Sequence, residues 1–280
     1  MKKIYSIILL TLTINSLFSQ EEPKQENINE DSVVVEHPLT KALKNPLFVY
    51  ELDLSAFPMP YIPAEVGNLK NLKYLASVNT GIEFIPKNIS SCENLQRLIL
   101  SYNEIKFIPD EFAWLSYVWE LDLSNNNIKV INPLVAKMKR LKSLQLSGNK
   151  IKSIPSEMKE CPKLERLYLN NNKIKSVNPD LGKSPYLTKL YLNDNKIKSL
   201  PEELSSLKNL TVLSVKNNKI KTIPQTYRAL KKLQKFNISG NPITPQELEV
   251  IKSILPNSCE VIFEIEEEEE ESTQENNDSK

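Results

Sequence analysis

Histidine, cysteine and glycine are scarce in this chain, and their scarcity excludes several kinds of site. The 280 residues include one histidine, three cysteines and five glycines. A zinc site with four Cys or His ligands would need all four of these side chains, and their spacing fits no such site. The glycines form neither GxxxxGKS/T nor GxGxxG, so no phosphate-binding loop is indicated. The sequence therefore predicts no catalytic residue, no metal and no cofactor.

What the chain does have is one unit repeated at a fixed spacing. Residues 141–223 contain four successive copies close to the pattern LxxLxLxxNxIxxIP, opened by Leu141, Leu164, Leu187 and Leu210. The step of 23 residues continues back to Val49 and forward to Leu233, which makes nine copies without an insertion. A period of this size indicates a solenoid, in which each unit packs only on its neighbours.

Each position of the unit, counted from the opening residue, has its own chemistry. Positions 1, 4 and 6 are apolar, and positions 4 and 6 alternate with polar ones as in a short strand. Position 9 is asparagine in seven successive copies, from Asn103 to Asn241, and its amide is predicted to bond buried backbone groups. Positions 11 and 14 are apolar again. A proline near position 15 then favours the first turn of a short helix.

This pattern resembles the leucine-rich repeat, and the 23-residue unit with its proline is similar to the Ras-suppressor-like class, including exported bacterial members. The resemblance covers Val49 to about Phe263. It implies an α/β fold, a right-handed horseshoe solenoid with a parallel concave sheet and short helices or helical turns on the convex side. Phe57 and Thr80 replace the position 9 asparagine in the first two copies, so less regular coils are expected there.

The flanks of the repeats differ from them in composition, which sets the predicted boundaries. We predict a signal peptide over 1–19, a flexible acidic linker over 20–38, an N-terminal cap helix over 39–48, nine repeats over 49–255, a C-terminal cap strand over 256–263 and a disordered acidic tail over 264–280. The signal consists of Lys2 and Lys3 before a short apolar run, which is too broken for a stable membrane span. We therefore expect an exported protein that is secreted, periplasmic or on the cell surface.

The sequence also predicts which residues form the two caps. Thr40 is predicted to begin the N-terminal cap helix, and His37 at the edge of the linker is given no role. The residues expected to cover the first coil are Leu39, Ala42, Leu43 and Leu47. At the other end, Cys259 and Val261 are placed at positions 4 and 6 of a truncated tenth unit. Cys92 and Cys161 are predicted core residues, three coils apart and too distant for a disulfide.

Positions 2, 3, 5, 7 and 8 are predicted to face outward from the concave sheet, and here the copies stop resembling one another. Adjacent strands lie ~4.8 Å apart, so neighbouring copies build patches of Tyr, Trp and Arg, which are enriched at binding hot spots. The candidate partner-binding residues are Tyr74, Arg97, Ile99, Tyr102, Trp119 and Glu120 in one patch, and Arg166, Tyr168, Lys189 and Tyr191 in another. The alternative is cross-strand pairs that only stabilise the sheet. We predict a non-enzymatic, monomeric scaffold that binds a protein partner.

Positions 10 and 12 form a lysine edge. Its members are Lys106, Lys129, Lys150, Lys152, Lys173, Lys175, Lys196, Lys198, Lys219 and Lys221. They contribute to a repeat region that is basic while the flanks are acidic. The edge is predicted to be either a solvated face that keeps the protein soluble, or a docking strip for an anionic polymer such as a polysaccharide or nucleic acid. The glutamate-rich tail is a further hypothetical ligand of the same edge.

Overall fold

The computed structural model describes residues 37–264 and shows ten short parallel strands in a single sheet. Their bounds are β1 Glu51–Asp53, β2 Tyr74–Ala76, β3 Arg97–Ile99, β4 Glu120–Asp122, β5 Ser143–Gln145, β6 Arg166–Tyr168, β7 Lys189–Tyr191, β8 Val212–Ser214, β9 Lys235–Asn237 and β10 Glu260–Ile262. The strands follow one another in chain order, so each coil pairs with the next. The predicted solenoid with a parallel sheet is confirmed. The predicted signal peptide and almost all of the linker and acidic tail lie outside the described residues.

The return path of each of the first eight coils contains one short 3₁₀ turn. These turns span Ala64–Asn68, Lys87–Ser91, Asp110–Trp114, Pro133–Lys137, Ser156–Glu160, Pro179–Lys183, Glu202–Ser206 and Gln225–Ala229, after a shorter one at Pro46–Phe48. In most copies the proline is the cap residue just before the turn, one place earlier than predicted. In the two copies with a shifted proline, Asn132 and Asn178 are the caps, and their side chains accept a hydrogen bond from the backbone two residues on.

The position 9 asparagines tie each coil to the one before it. Asn149 is representative: its Oδ1 accepts from the Ile128 amide at 2.9 Å, and its Nδ2 donates to the Leu123 carbonyl of the previous coil at 2.9 Å. The same Nδ2 donates to Leu146 within its own coil at 3.0 Å. Each amide thereby satisfies backbone groups that an apolar core would leave unpaired, which explains why a polar residue occupies a buried column.

The N-terminal cap differs from its prediction. The first helix, α1, spans Pro38–Leu43, so the predicted start at Thr40 is wrong. His37 is the cap residue: its Nδ1 accepts from the Leu39 amide at 3.2 Å, and its ring meets Phe57 edge-on at 4.9 Å between centroids. Burial lowers the pKa of His37, which keeps Nδ1 free to accept. Proline is favoured at the first helical position, with the preceding residue as the cap. Pro38 therefore already indicated His37 as the cap residue.

Two further cap residues also depart from expectation. Leu39 and Ala42 are buried against the first coil as predicted, whereas Leu47 is exposed. At the other end, helix α2 spans Pro245–Ile254, and in β10 Val261 pairs with Phe236 at position 4. The placement of Cys259 at that position is therefore wrong by two residues. An α-helix rises less per residue than a 3₁₀ turn, so the last coil needs more residues to return to the sheet.

Candidate functional site

The N-terminal patch is arranged around Arg97. Its guanidinium carbon lies 5.1 Å from the centre of the Tyr74 ring and 5.7 Å from the centre of the Trp119 ring. Its Nε donates to Glu120 Oε2 at 2.6 Å. Two aromatic faces and a carboxylate thus hold the cation in one orientation. The patch presents aromatic surface with its charge already neutralised, and Ile99 lies half-buried on the same strand as Arg97.

Tyr102 belongs to the rim of the sheet, at position 8, and its backbone is unusual. Its φ is +57°, and 60% of its surface is exposed. The other copies with positive φ at this position have Asn79, Asn125, Gly148, Asn171, Asp194, Asn217 or Gly240. The left-handed region suits Asn, Asp and Gly far better than a tyrosine. Among the described residues, no ring contact or hydrogen bond joins the Tyr102 side chain to Arg97 or Trp119.

The C-terminal patch is a pair of stacked tyrosines. The rings of Tyr168 and Tyr191 lie 4.9 Å apart between centroids and 4° from parallel. Both are half-buried on the concave side, as are Arg166 and Lys189 two residues earlier on the same strands. Burial and, to a smaller extent, Tyr168 raise the pKa of Tyr191, so its phenol stays protonated. The pair is a rigid aromatic platform with two cations beside it.

A shallow cavity lies between Trp119 of the N-terminal patch and Arg166 of the C-terminal patch. Its volume is ≈ 570 Å³, and it is lined by Trp119, Arg140, Lys142, Lys163, Glu165 and Arg166. Glu165 is bonded to Lys142 at 2.9 Å, and its other oxygen lies 3.8 Å from Arg166. Four cations and one carboxylate leave the lining with a net charge of about +3. We call this the basic groove. A second depression of ≈ 410 Å³ shares Glu165 with it and extends to Lys232.

Sequence reasoning missed four residues of the basic groove: Arg140, Lys142, Lys163 and Glu165. Lys142 and Glu165 are at position 2, directly before the strand, and Arg140 and Lys163 are at position 23, where one copy ends. A signal was available, because position 2 was already counted as outward-facing. The segment between the 3₁₀ turn and the next strand had no assigned face, so its cations could not be placed.

The lysine edge lies on the far side of the strands from the basic groove, in the segment that follows each strand. All ten lysines are exposed. Lys106 forms an ion pair with Glu83 at 2.7 Å, which raises the pKa of Lys106. For the other nine, residues 37–264 provide no carboxylate within ion-pair distance. Nor does that part of the chain contain a cluster of His, Cys, Asp and Glu suited to a metal ion, or a helix long and apolar enough to cross a bilayer.

Comparisons with solved structures identify the same architecture elsewhere. Internalin C2 from Listeria monocytogenes has a TM-score of 0.61 at 26% identity, over 71% of this chain and 83% of that one. The ectodomain of the Arabidopsis thaliana receptor kinase GASSHO1/SCHENGEN3, solved with CASPARIAN STRIP INTEGRITY FACTOR 2, has a TM-score of 0.55 at 27% identity, over 77% and 30%. The structure of PEPR1–AtPEP1 has a TM-score of 0.63 at 23% identity, over 77% of this chain and 35% of that one. The chain thus spans about a third of the length of the last two chains.

Sequence comparison gives the family. No curated protein matches the chain. The family described as leucine rich repeat matches residues 70–128, 116–174 and 185–243, which together are more than half of the chain. These segments contain strands β2 to β9 and the asparagines that join successive coils. The protein therefore belongs to the leucine-rich repeat family.

Proposed function

We propose that this protein is a non-enzymatic scaffold that binds a protein partner through the concave face of its solenoid. The observation that carries the proposal is the basic groove, which is lined by Trp119 of the Arg97 cluster and by Arg166, two residues before Tyr168 of the stacked pair. Aromatic and arginine side chains held rigidly around a concave surface are typical of binding hot spots. The structurally similar ectodomain of GASSHO1/SCHENGEN3 was solved in complex with CASPARIAN STRIP INTEGRITY FACTOR 2, which supports this assignment.

The groove also indicates the chemistry of the partner. Its lining is cationic and includes one aromatic ring, that of Trp119. A partner segment with acidic side chains beside an apolar or aromatic residue would match this lining. The partner's carboxylates would compete with Glu165 for Lys142 and Arg166, so binding should weaken as salt screens these pairs.

Selection from a random peptide library displayed on phage tests the proposal without knowledge of the natural partner. We expect enrichment of acidic peptides with flanking aromatic residues. These peptides should lose affinity for Trp119→Ala and for Tyr168→Ala/Tyr191→Ala, and keep it for Trp114→Ala. Trp114 is 72% exposed in a 3₁₀ turn on the opposite side of the coil, which makes it a matched control. Selected peptides that bind all variants equally would contradict a concave site.

The lysine edge supports a second candidate function, the binding of an anionic polymer. Nine exposed lysines without a carboxylate partner in the described residues favour it over a merely solvated face. Affinity for such a polymer should decrease steeply with salt. It should also be lost when Lys173, Lys175, Lys196 and Lys198 are changed to Glu, and be unaffected by Tyr168→Ala/Tyr191→Ala.

Export and a monomeric state are further parts of the proposal. Export depends on the N-terminal signal pattern, and the expected mature protein begins near Gln20. N-terminal sequencing of protein recovered after expression with residues 1–19 would test it, since an intact Met1 contradicts cleavage. Sedimentation equilibrium of the same material would test the monomer.

A further inference from the structure

A row of exposed apolar side chains lies at position 13 of the first four coils, where the sequence analysis assigned no role. Tyr61, Phe84, Phe107 and Val130 have 57%, 59%, 72% and 67% of their surface exposed. We call this the apolar column. The next four copies have Ser153, Ser176, Ser199 and Thr222 at the same position. The change from apolar to hydroxyl residues shows that stacking the coils does not require large apolar groups there.

The apolar column and the lysine edge form one continuous strip. Position 13 follows directly on position 12, and the parallel bridge between Tyr61 and Phe84 shows that successive coils place these residues side by side. Lys106 links the two features, because its Nζ lies 5.9 Å from the centre of the Phe84 ring. The strip is therefore apolar along coils one to four and basic along coils five to eight.

The charges beside the column leave it nearly neutral. Glu83 and Glu104 at positions 12 and 10 are balanced by Lys106 and Lys129. Further along, positions 10 and 12 hold only lysine, from Lys150 to Lys221. The strip thus combines a neutral apolar half, which gains by leaving water, with a basic half that attracts anions.

We propose that this strip binds an anionic lipid surface. The apolar side chains protrude and line neither of the two cavities described above, which lie at the other ends of the strands. Protruding rings can insert into the fluid interface of a bilayer, which adapts to their shape. Exposed aromatic residues flanked by lysines are typical of such membrane interfaces. Anionic head groups add attraction for each nearby lysine. A soluble polyanion would use the lysines and leave the column in water.

The repetition of the strip also favours an extended binding surface. Positions 12 and 13 recur at a step of 23 residues from the first coil to the eighth, so the apolar column and the lysine edge follow one another along the same side of the solenoid. The proposal does not depend on the concave site, which would remain free to bind a protein partner.

Flotation of the full chain with vesicles tests the proposal. One set consists of phosphatidylcholine alone, and the other adds phosphatidylglycerol. We expect binding to the mixed vesicles. The double substitution Phe84→Ser/Phe107→Ser, which introduces the serine found at position 13 of later copies, should lower the affinity for these vesicles at least about tenfold. Phe107→Trp should retain binding, and Trp114→Ser, an equally exposed aromatic on another face, should not change it. All variants share residues 1–36, so any lipid affinity of that segment cancels.

Two results would overturn the proposal. The first is equal vesicle binding by wild type and by Phe84→Ser/Phe107→Ser, which would assign the effect to the lysines alone. The second is failure of the wild-type chain to bind the mixed vesicles, whether or not it binds dextran sulfate, a soluble polyanion. Circular dichroism and thermal unfolding of each variant show whether the fold is retained. The substituted side chains are mostly exposed, so unfolding temperatures close to wild type are expected.

Discussion

Tyr168 and Tyr191 face each other across the β6–β7 pair, with their rings 4.9 Å apart and almost parallel. Their Cα atoms are direct partners in the parallel register, so the spacing of the two strands sets the distance between the rings. Because the repeat places tyrosine at position 5 in two successive copies only, this stack marks one place along the concave face. A platform held in this way loses little conformational entropy when a partner covers it.

Replacing either tyrosine should have a small effect on stability and a large one on binding. We expect Tyr168→Ala to lower the free energy of unfolding by about 1 kcal/mol through loss of the ring pair. The same change should cost less when Tyr191 is already alanine. A double-mutant cycle by urea denaturation measures the coupling. Coupling near zero would mean that the stack contributes nothing to the free protein.

Replacing Tyr102 by asparagine should stabilise the protein. Tyrosine at φ +57° occupies a region that asparagine, found at this position in four other copies, tolerates better. We expect the free energy of unfolding to increase by roughly 1 kcal/mol. The reverse change, Asn125→Tyr, should lower it by a similar amount. If Tyr102→Asn leaves stability unchanged, the backbone strain inferred from φ is absent.

An exposed residue kept at an energetic cost also indicates a role. If Tyr102 contributes to the concave site, Tyr102→Asn should weaken peptide binding while it raises stability. Opposite signs for the two effects distinguish a binding residue from one that is merely strained.

Removal of a position 9 asparagine should be severe. Asn149→Ala leaves the Ile128 amide and the Leu123 carbonyl without their buried partner. We expect a loss of roughly 3 kcal/mol or more, because each buried group left unsatisfied carries its own penalty. The control is Asn127→Ala at position 10, which is half-exposed and should change stability by less than about 0.5 kcal/mol. Equal effects of the two substitutions would contradict the role given to the ladder.

Alkaline pH should destabilise the protein through its buried thiols. Burial raises the pKa of Cys92 and of Cys161 to about 11. In the unfolded chain both ionise near 9.0, so between pH 9 and 11 the unfolded state binds fewer protons, and the free energy of unfolding falls as pH rises. Urea titrations at several pH values should show a shallower decline for Cys92→Ala/Cys161→Ala. An identical slope would show that the thiols stay protonated in both states.

The fold could be derived almost entirely from the sequence. Apolar residues alternate with polar ones at and just after each strand, as at Leu144 and Leu146, and asparagine recurs at position 9 of seven successive coils. A fixed spacing of 23 residues leaves the register of the sheet no freedom. The ends were harder to predict because they are not repeats. His37 caps a helix through contacts with Leu39 and Phe57, and the α-helical last coil shifts β10 by two residues.

The candidate sites divide in the same way. The sequence by itself determined that positions 3 and 5 lie on the opposite face of the strand from position 4, because side chains alternate along a strand, and it placed Tyr168 beside Tyr191. The prediction that position 7 faces outward is wrong for Ser101 and Ser239, which are buried. Only the tertiary structure decided that Arg97 lies between two rings, or that Arg140 and Lys163 line a groove with Trp119. These contacts depend on side-chain conformations and on the path of the chain between turn and strand. Periodicity does not encode either of them.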